Sequence, residues 1–169
     1  AIVEADDDLI GLHPDGTEAF RRPHHGWLPV GNVGDRLVTS SGDGGLRLED
    51  MTDGANPLPL VGHTSTVTIA TAVTVGGRPH LVTAGWGHRL LVWDPVTGEL
   101  LARMDGHDAR VLSLSWDGRF VWSTSFDDSV RLWDLSVIDQ EPAALVEALR
   151  ERTGMAVREG RVSFVGRDR

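Results

Sequence analysis

The sequence predicts an all-β fold assembled by repetition of one four-stranded antiparallel unit, and three observations predict it. Closing aspartates recur at Asp50, Asp94 and Asp134, at intervals of 44 and 40 residues. Each is preceded by short stretches of alternating hydrophobicity bounded by Gly, Asp and Pro. Gly-His pairs, Gly62-His63 and Gly106-His107, stand ahead of two of the units. A period of this size marks a chain built from one supersecondary unit that cannot bury its apolar faces alone.

The clearest unit runs Val121-Trp122-Ser123-Thr124-Ser125-Phe126-Asp127-Asp128-Ser129-Val130-Arg131-Leu132-Trp133-Asp134. A second aligns as Leu81 to Asp94 and contains Val82-Thr83-Ala84-Gly85-Trp86-Gly87 and Val92-Trp93-Asp94. A third aligns as Leu37 to Asp50, with Thr39, Asp43 and Glu49 at the matching places. A partial unit opens the chain, where Asp7-Asp8-Leu9-Ile10-Gly11-Leu12-His13-Pro14 matches Asp127 to Asp134 and puts His13 in the tryptophan place.

The elements follow in order. Alternation predicts inner strands (a) at about 27–30, 67–73 and 110–116, and middle strands (b) at about 36–40, 80–84 and 119–124. Third strands (c) fall at about 45–49, 89–93 and 129–133, and outer strands (d) at 16–21, 57–61 and 99–104. Gly76-Gly77 and Asp117-Gly118 mark hairpin turns. After Asp134 the rhythm stops. Residues 141–152, from Glu141-Pro142 to Arg152, read as a helix with proline at its first position and Gly154 beyond its end. Leu145, Val146 and Leu149 share one side, the pattern of a helix that docks on its parent domain. Residues 161–165 read as one further strand.

The Gly-His…Trp-Asp signature at these intervals resembles the WD40 repeat. The resemblance implies a WD40-type β-propeller fragment of about three and a half four-stranded blades, with a C-terminal helix and short tail. The divisions expected are 1–22 as a partial blade of strands b to d, 23–61 and 62–105 as blades, 106–137 as a last blade lacking its outer strand, and 138–169 as helix and tail. In that family the last blade is commonly closed by a strand from the N-terminal region. Both ends of the chain are therefore expected to call for the same absent segment.

The resemblance also implies a buried His, Ser/Thr, Asp and Trp set in each blade, because a buried carboxylate needs donors and these side chains supply them. His107, Ser123, Asp127 and Trp133 make a complete set. The second unit offers His63, Thr83 and Trp93, with Gly87 in place of the aspartate. The first offers Thr39 and Asp43, with Glu49 in place of tryptophan and either His24 or His25 as its histidine. Asp7 occupies the aspartate place of the partial unit. A His, Ser and Asp together also invite comparison with a hydrolase triad. Here they recur with the period of the fold, so the reading is structural and no catalytic residue is expected.

Family habit places partner contacts three residues after the histidine and immediately before the structural aspartate. Transferred here, these are Thr66 and Arg110, then Trp86 and Phe126, with Trp27 added if His24 is the repeat histidine. Aromatic side chains and arginine at loop positions are characteristic of interface anchors.

Other chemistry is argued against. The formal net charge is −9 and the arginines are dispersed, so neither nucleic acid nor an anionic membrane is an expected partner. Cysteine is absent, and His13, His24, His25, His80 and His88 fit no standard ligand spacing, so no metal or cofactor is expected and these histidines read as loop or surface residues. Asp6-Asp7-Asp8 lacks the spaced carboxylates of a calcium loop. The lack of cysteine also fits a cytoplasmic setting. All 16 basic residues are arginine, as in proteins of GC-rich bacterial genomes.

Three functions are carried forward. The first is a non-catalytic protein–protein interaction scaffold, a sensor or regulatory arm of a larger bacterial signalling protein, with a protein or peptide on its loop face and the other half of the propeller as partner. The second is the C-terminal region of a multidomain protease or NTPase with its catalytic domain upstream. The third is a half-propeller that pairs with a second copy.

Overall fold

The computed structural model describes residues 1–136, 138, 155–158 and 161–164, in two compact units, Ala1–Leu135 and Ser136–Arg169. The first unit consists of four antiparallel sheets in chain order. Sheet one has β1 (Ile2–Ala5), β2 (Asp8–Leu12) and β3 (Glu18–Pro23). Sheet two has β4 (Leu28–Val33), β5 (Arg36–Ser40), β6 (Leu46–Asp50) and the two-residue β7 (Leu58–Pro59). Sheet three has β8 (Val67–Val75), β9 (Arg78–Gly85), β10 (Leu90–Trp93) and β11 (Leu100–Met104). Sheet four has β12 (Val111–Trp116), β13 (Phe120–Ser125) and β14 (Val130–Asp134). In the second unit β15 (Met155–Arg158) pairs with β16 (Arg161–Phe164) as a hairpin. The strand expected over 161–165 is thus β16, while the helix expected over 141–152 lies outside the described residues.

Within each sheet, neighbours in sequence are neighbours in space. Between sheets, β4 packs on β8 and β8 on β12, so the first strands of successive sheets stand side by side. That is a propeller's radial plan, with consecutive blades stacked face to face. The close approach of β4 and β8 requires Gly31, where a Cβ would lie 2.5 Å from the Ala70 carbonyl oxygen. The core between blades two and three combines Val38, Leu46 and Leu48 with Val67, Leu81, Leu91 and Trp93, all buried.

The turns follow from the residues in them. Gly76 and Gly77 both have positive φ, 56° and 79°, as a two-residue hairpin of matched twist demands. At the Ala5–Asp8 hairpin, also of two residues, Asp6 carries the positive φ of 55°. The turns before β6, β10 and β14 share a different feature. Gly44, His88 and Asp128 occupy one equivalent position, with φ of 93°, 63° and 61°.

Antiparallel pairing decides where the functional side chains gather. The start of strand a, the end of b, the start of c and the end of d all lie at one end of a blade. Thus the loops carrying Trp27, Thr66, Trp86, Arg110 and Phe126 share one face of the disc.

Candidate functional site

Blade four carries a continuous hydrogen-bonded chain beneath this face. Trp133 Nε1–H donates to Ser123 Oγ at 2.8 Å, and Ser123 Oγ lies 2.7 Å from His107 Nε2. His107 Nδ1 lies 2.8 Å from Asp127 Oδ2. Assigned from this pattern, Nδ1 carries the proton and Nε2 accepts from the serine. Asp127 also accepts the Asp108 and Ser129 backbone N–H groups and the Ser129 hydroxyl. These bonds, the Ser129 hydroxyl foremost, hold its carboxyl well below the usual carboxylate range.

Blade three keeps two links of the chain. Trp93 Nε1–H donates to Thr83 Oγ1 at 2.8 Å, and His63 Nε2 sits 2.7 Å from the same oxygen. Gly87 replaces the aspartate. A Cβ there would meet only Ser65 Cβ at 3.8 Å, an ordinary van der Waals contact, so the position has room for a side chain's first carbon. Burial, reinforced by the nearby Arg89 charge, pushes the His63 imidazole down to about 4.

Blade two solves the same problem with ions. Glu49, in the tryptophan place, is fully buried and lies 2.8 Å from Arg22 Nη2 and 2.7 Å from Arg47 Nη2. Arg47 Nε–H donates to Thr39 Oγ1 at 3.4 Å, replacing the indole donor of the other blades. His24 is buried, but its Nδ1 accepts the Gly26 N–H rather than reaching Thr39. Asp43 is exposed and accepts from Ser41 and Gly45 inside its own turn, with no histidine partner among the described residues. Asp7 lies in the two-residue hairpin after β1, where its backbone carbonyl, not its carboxylate, receives the His24 N–H. That tight turn lacks the longer loop which elsewhere carries the structural aspartate inward. His80, expected at the surface, is buried on β9 with Nδ1 3.1 Å from the Arg78 carbonyl oxygen.

Above these networks, three of the loop residues expected to meet a partner come together. The Arg110 guanidinium lies 3.9 Å from the Phe126 ring centroid and 5.6 Å from that of Trp86. Both rings are about half exposed, Trp86 at 53% and Phe126 at 54%. Backbone bonds fix their stems: Trp86 N–H donates to the Thr66 carbonyl, and Phe126 N–H to the Arg110 carbonyl. The Thr66 hydroxyl is itself committed to the Gly42 carbonyl at 2.9 Å, tying the blade-two turn to blade three. Trp27 does not join the cluster; its ring packs under Arg47 at 4.0 Å.

Arg22 and Arg47 escaped the sequence reading. A glutamate at a position that is otherwise buried tryptophan was the available signal, since a buried carboxylate there demands cations.

Residues 98–134 match the WD40 family model, described as WD domain, G-beta repeat. This is a WD40 β-propeller-type domain. The WD40 chain is similar to the nuclear distribution protein PAC1 of Arthroderma benhamiae, 36% identical over 114 residues that cover 62% of this chain and 25% of that protein. It is also similar to the peroxisomal targeting signal 2 receptor of Mus musculus, 35% identical over 81 residues, covering 47% of this chain and 26% of the receptor. The chain thus spans about a quarter of the length of these relatives. Among solved structures, the computationally designed Ika4 protein superposes with a TM-score of 0.56 at 21% identity, covering 79% of this chain and 88% of that one. That likeness concerns the fold alone.

Proposed function

We propose that this domain is a non-catalytic scaffold that binds a protein partner on its loop face, as a regulatory arm of a larger bacterial protein. The observation that carries the reading is the half-exposed Trp86–Arg110–Phe126 cluster. Large aromatic and arginine side chains held rigidly at a surface are the residue types that dominate interface energetics. The relatives support a protein-interaction role in general, and one is named as a receptor for a targeting signal. The arginine-only basic complement supports the bacterial setting.

Cross-linking in a lysate, followed by comparison of wild type with a Trp86→Ala/Phe126→Ala variant, tests the proposal. Partners captured by the wild type and lost by a normally folded variant support it. Identical capture by both places binding on another surface.

A second reading, assembly with another copy into a closed ring, rests on a separate observation. Val82, Leu90 and Val92 of blade three are 0% exposed beneath blade four. Their equivalents Trp122, Val130 and Leu132 on the outer face of blade four are 39%, 59% and 50% exposed. A face of this composition is stabilised by another sheet stacked upon it. Light scattering decides this reading: a monomer at micromolar concentration removes it.

A further inference from the structure

From the Trp86–Arg110–Phe126 geometry we infer that the loop face recognises a carboxylate on its protein partner, with Arg110 as the specificity-determining residue. This rests on the loop-face reading above and names the chemistry it recognises. The Arg110 side chain is exposed, and among the described residues no carboxylate or carbonyl accepts its N–H groups. Two other arginines near this face are paired with carboxylates. Arg47 is paired with Glu49, and Arg89 Nε lies 3.2 Å from Asp105 Oδ1. Two carboxylates of the face are committed: Asp43 bonds within its own turn, and Asp127 bonds within its turn and to His107 and the Asp108 N–H.

What holds Arg110 is aromatic. Phe126 at 3.9 Å and Trp86 at 5.6 Å contact the guanidinium, an attraction to ring faces rather than to an anion. A guanidinium bound in this way keeps its N–H donors free and forfeits little rotamer entropy when they are used. Its donors form a planar fork that matches two carboxylate oxygens. The exposed rings alongside offer apolar surface to the residues flanking that carboxylate. The occupant is therefore an acidic segment of a protein, an Asp or Glu flanked by apolar residues.

The experiment is a random nonapeptide array, with a separate phosphoserine arm, probed with the full chain and with Arg110→Gln, Arg110→Lys and Trp86→Ala/Phe126→Ala variants of verified melting temperature. Expected are retained peptides with Asp or Glu at one fixed position, and a loss of about tenfold in that acidic signal in Arg110→Gln. Arg110→Lys should recover only part of it, because an ammonium lacks the fork. Retention without acidic preference, an acidic preference unchanged in Arg110→Gln, retention of phosphoserine peptides alone, or no retention by the wild type each overturns the inference. Acid-independent retention that the double aromatic variant abolishes leaves the loop-face reading standing. Retention indifferent to every variant removes both.

Discussion

His63 and Thr83 share a 2.7 Å hydrogen bond in blade three, the counterpart of the bond between His107 and Ser123 in blade four, yet only His107 has a carboxylate behind it. The difference comes down to Gly87 against Asp127, and it makes blade three sensitive to mild acid.

Between pH 6.5 and 4 the domain should lose stability through His63. Its folded value, about 4, lies below the ordinary 6.5, so in this window the unfolded chain binds a proton that the folded chain refuses. The contribution is complete above 6.5, falls with pH and is gone below 4. A difference of this size corresponds to on the order of 3 kcal/mol. Thermal melts across the window, with His63→Gln as control, check it. The variant should show a shallower slope there.

Gly87→Asp should restore the missing link. The open space at this position admits the Cβ, and the new carboxylate meets the free side of the imidazole. The expected gain is about 1–2 kcal/mol at pH 7, with the acid slope of the wild type reduced. Denaturant titration at pH 7 and pH 5 measures both.

Ser123→Ala removes the hydroxyl that joins Trp133 to His107, at a residue with no exposure. The buried His107 imidazole and the part-buried Trp133 indole lose their partner at once, a loss of about 2–3 kcal/mol. Asp127→Ala should likewise lower the melting temperature, and an unchanged value would remove Asp127 from the structural set. Because its carboxyl is held below the ordinary range, its contribution is present above about pH 4 and fades as pH falls further.

Glu49→Leu should be among the most damaging substitutions in the domain. It leaves the Arg22 and Arg47 guanidiniums facing each other without the shared carboxylate, a loss of about 3–5 kcal/mol. Chemical denaturation reads this directly, and Arg22→Leu/Glu49→Leu should recover part of it.

The strands were legible because alternation and turn chemistry are local. The predicted 36–40, 45–49 and 129–133 lie within one residue of β5, β6 and β14. The His107–Ser123–Asp127–Trp133 chain was legible for a related reason, each member sitting at a fixed offset in the repeat. Blade two was not. Arg22 reaches Glu49 from the neighbouring sheet, a contact 27 residues apart that no offset within the repeat encodes. Asp7 misled because its match to Asp127 was read from the following strand, while its own turn is two residues long. The stacking of Arg110 across two blades was likewise invisible, since Trp86 belongs to a different repeat.

The left-handed position shared by Gly44, His88 and Asp128 carries a last consequence. Three unrelated side chains tolerate one backbone shape, two of them without glycine's freedom, so the surrounding blade dictates the curve of the turn and the residue merely follows. Backbone and chemistry are thereby uncoupled at the rim. Residues such as Trp86 and Phe126 stand beside hinges that do not depend on them, and new recognition can be written onto the rim by side-chain replacement while the scaffold beneath keeps its geometry.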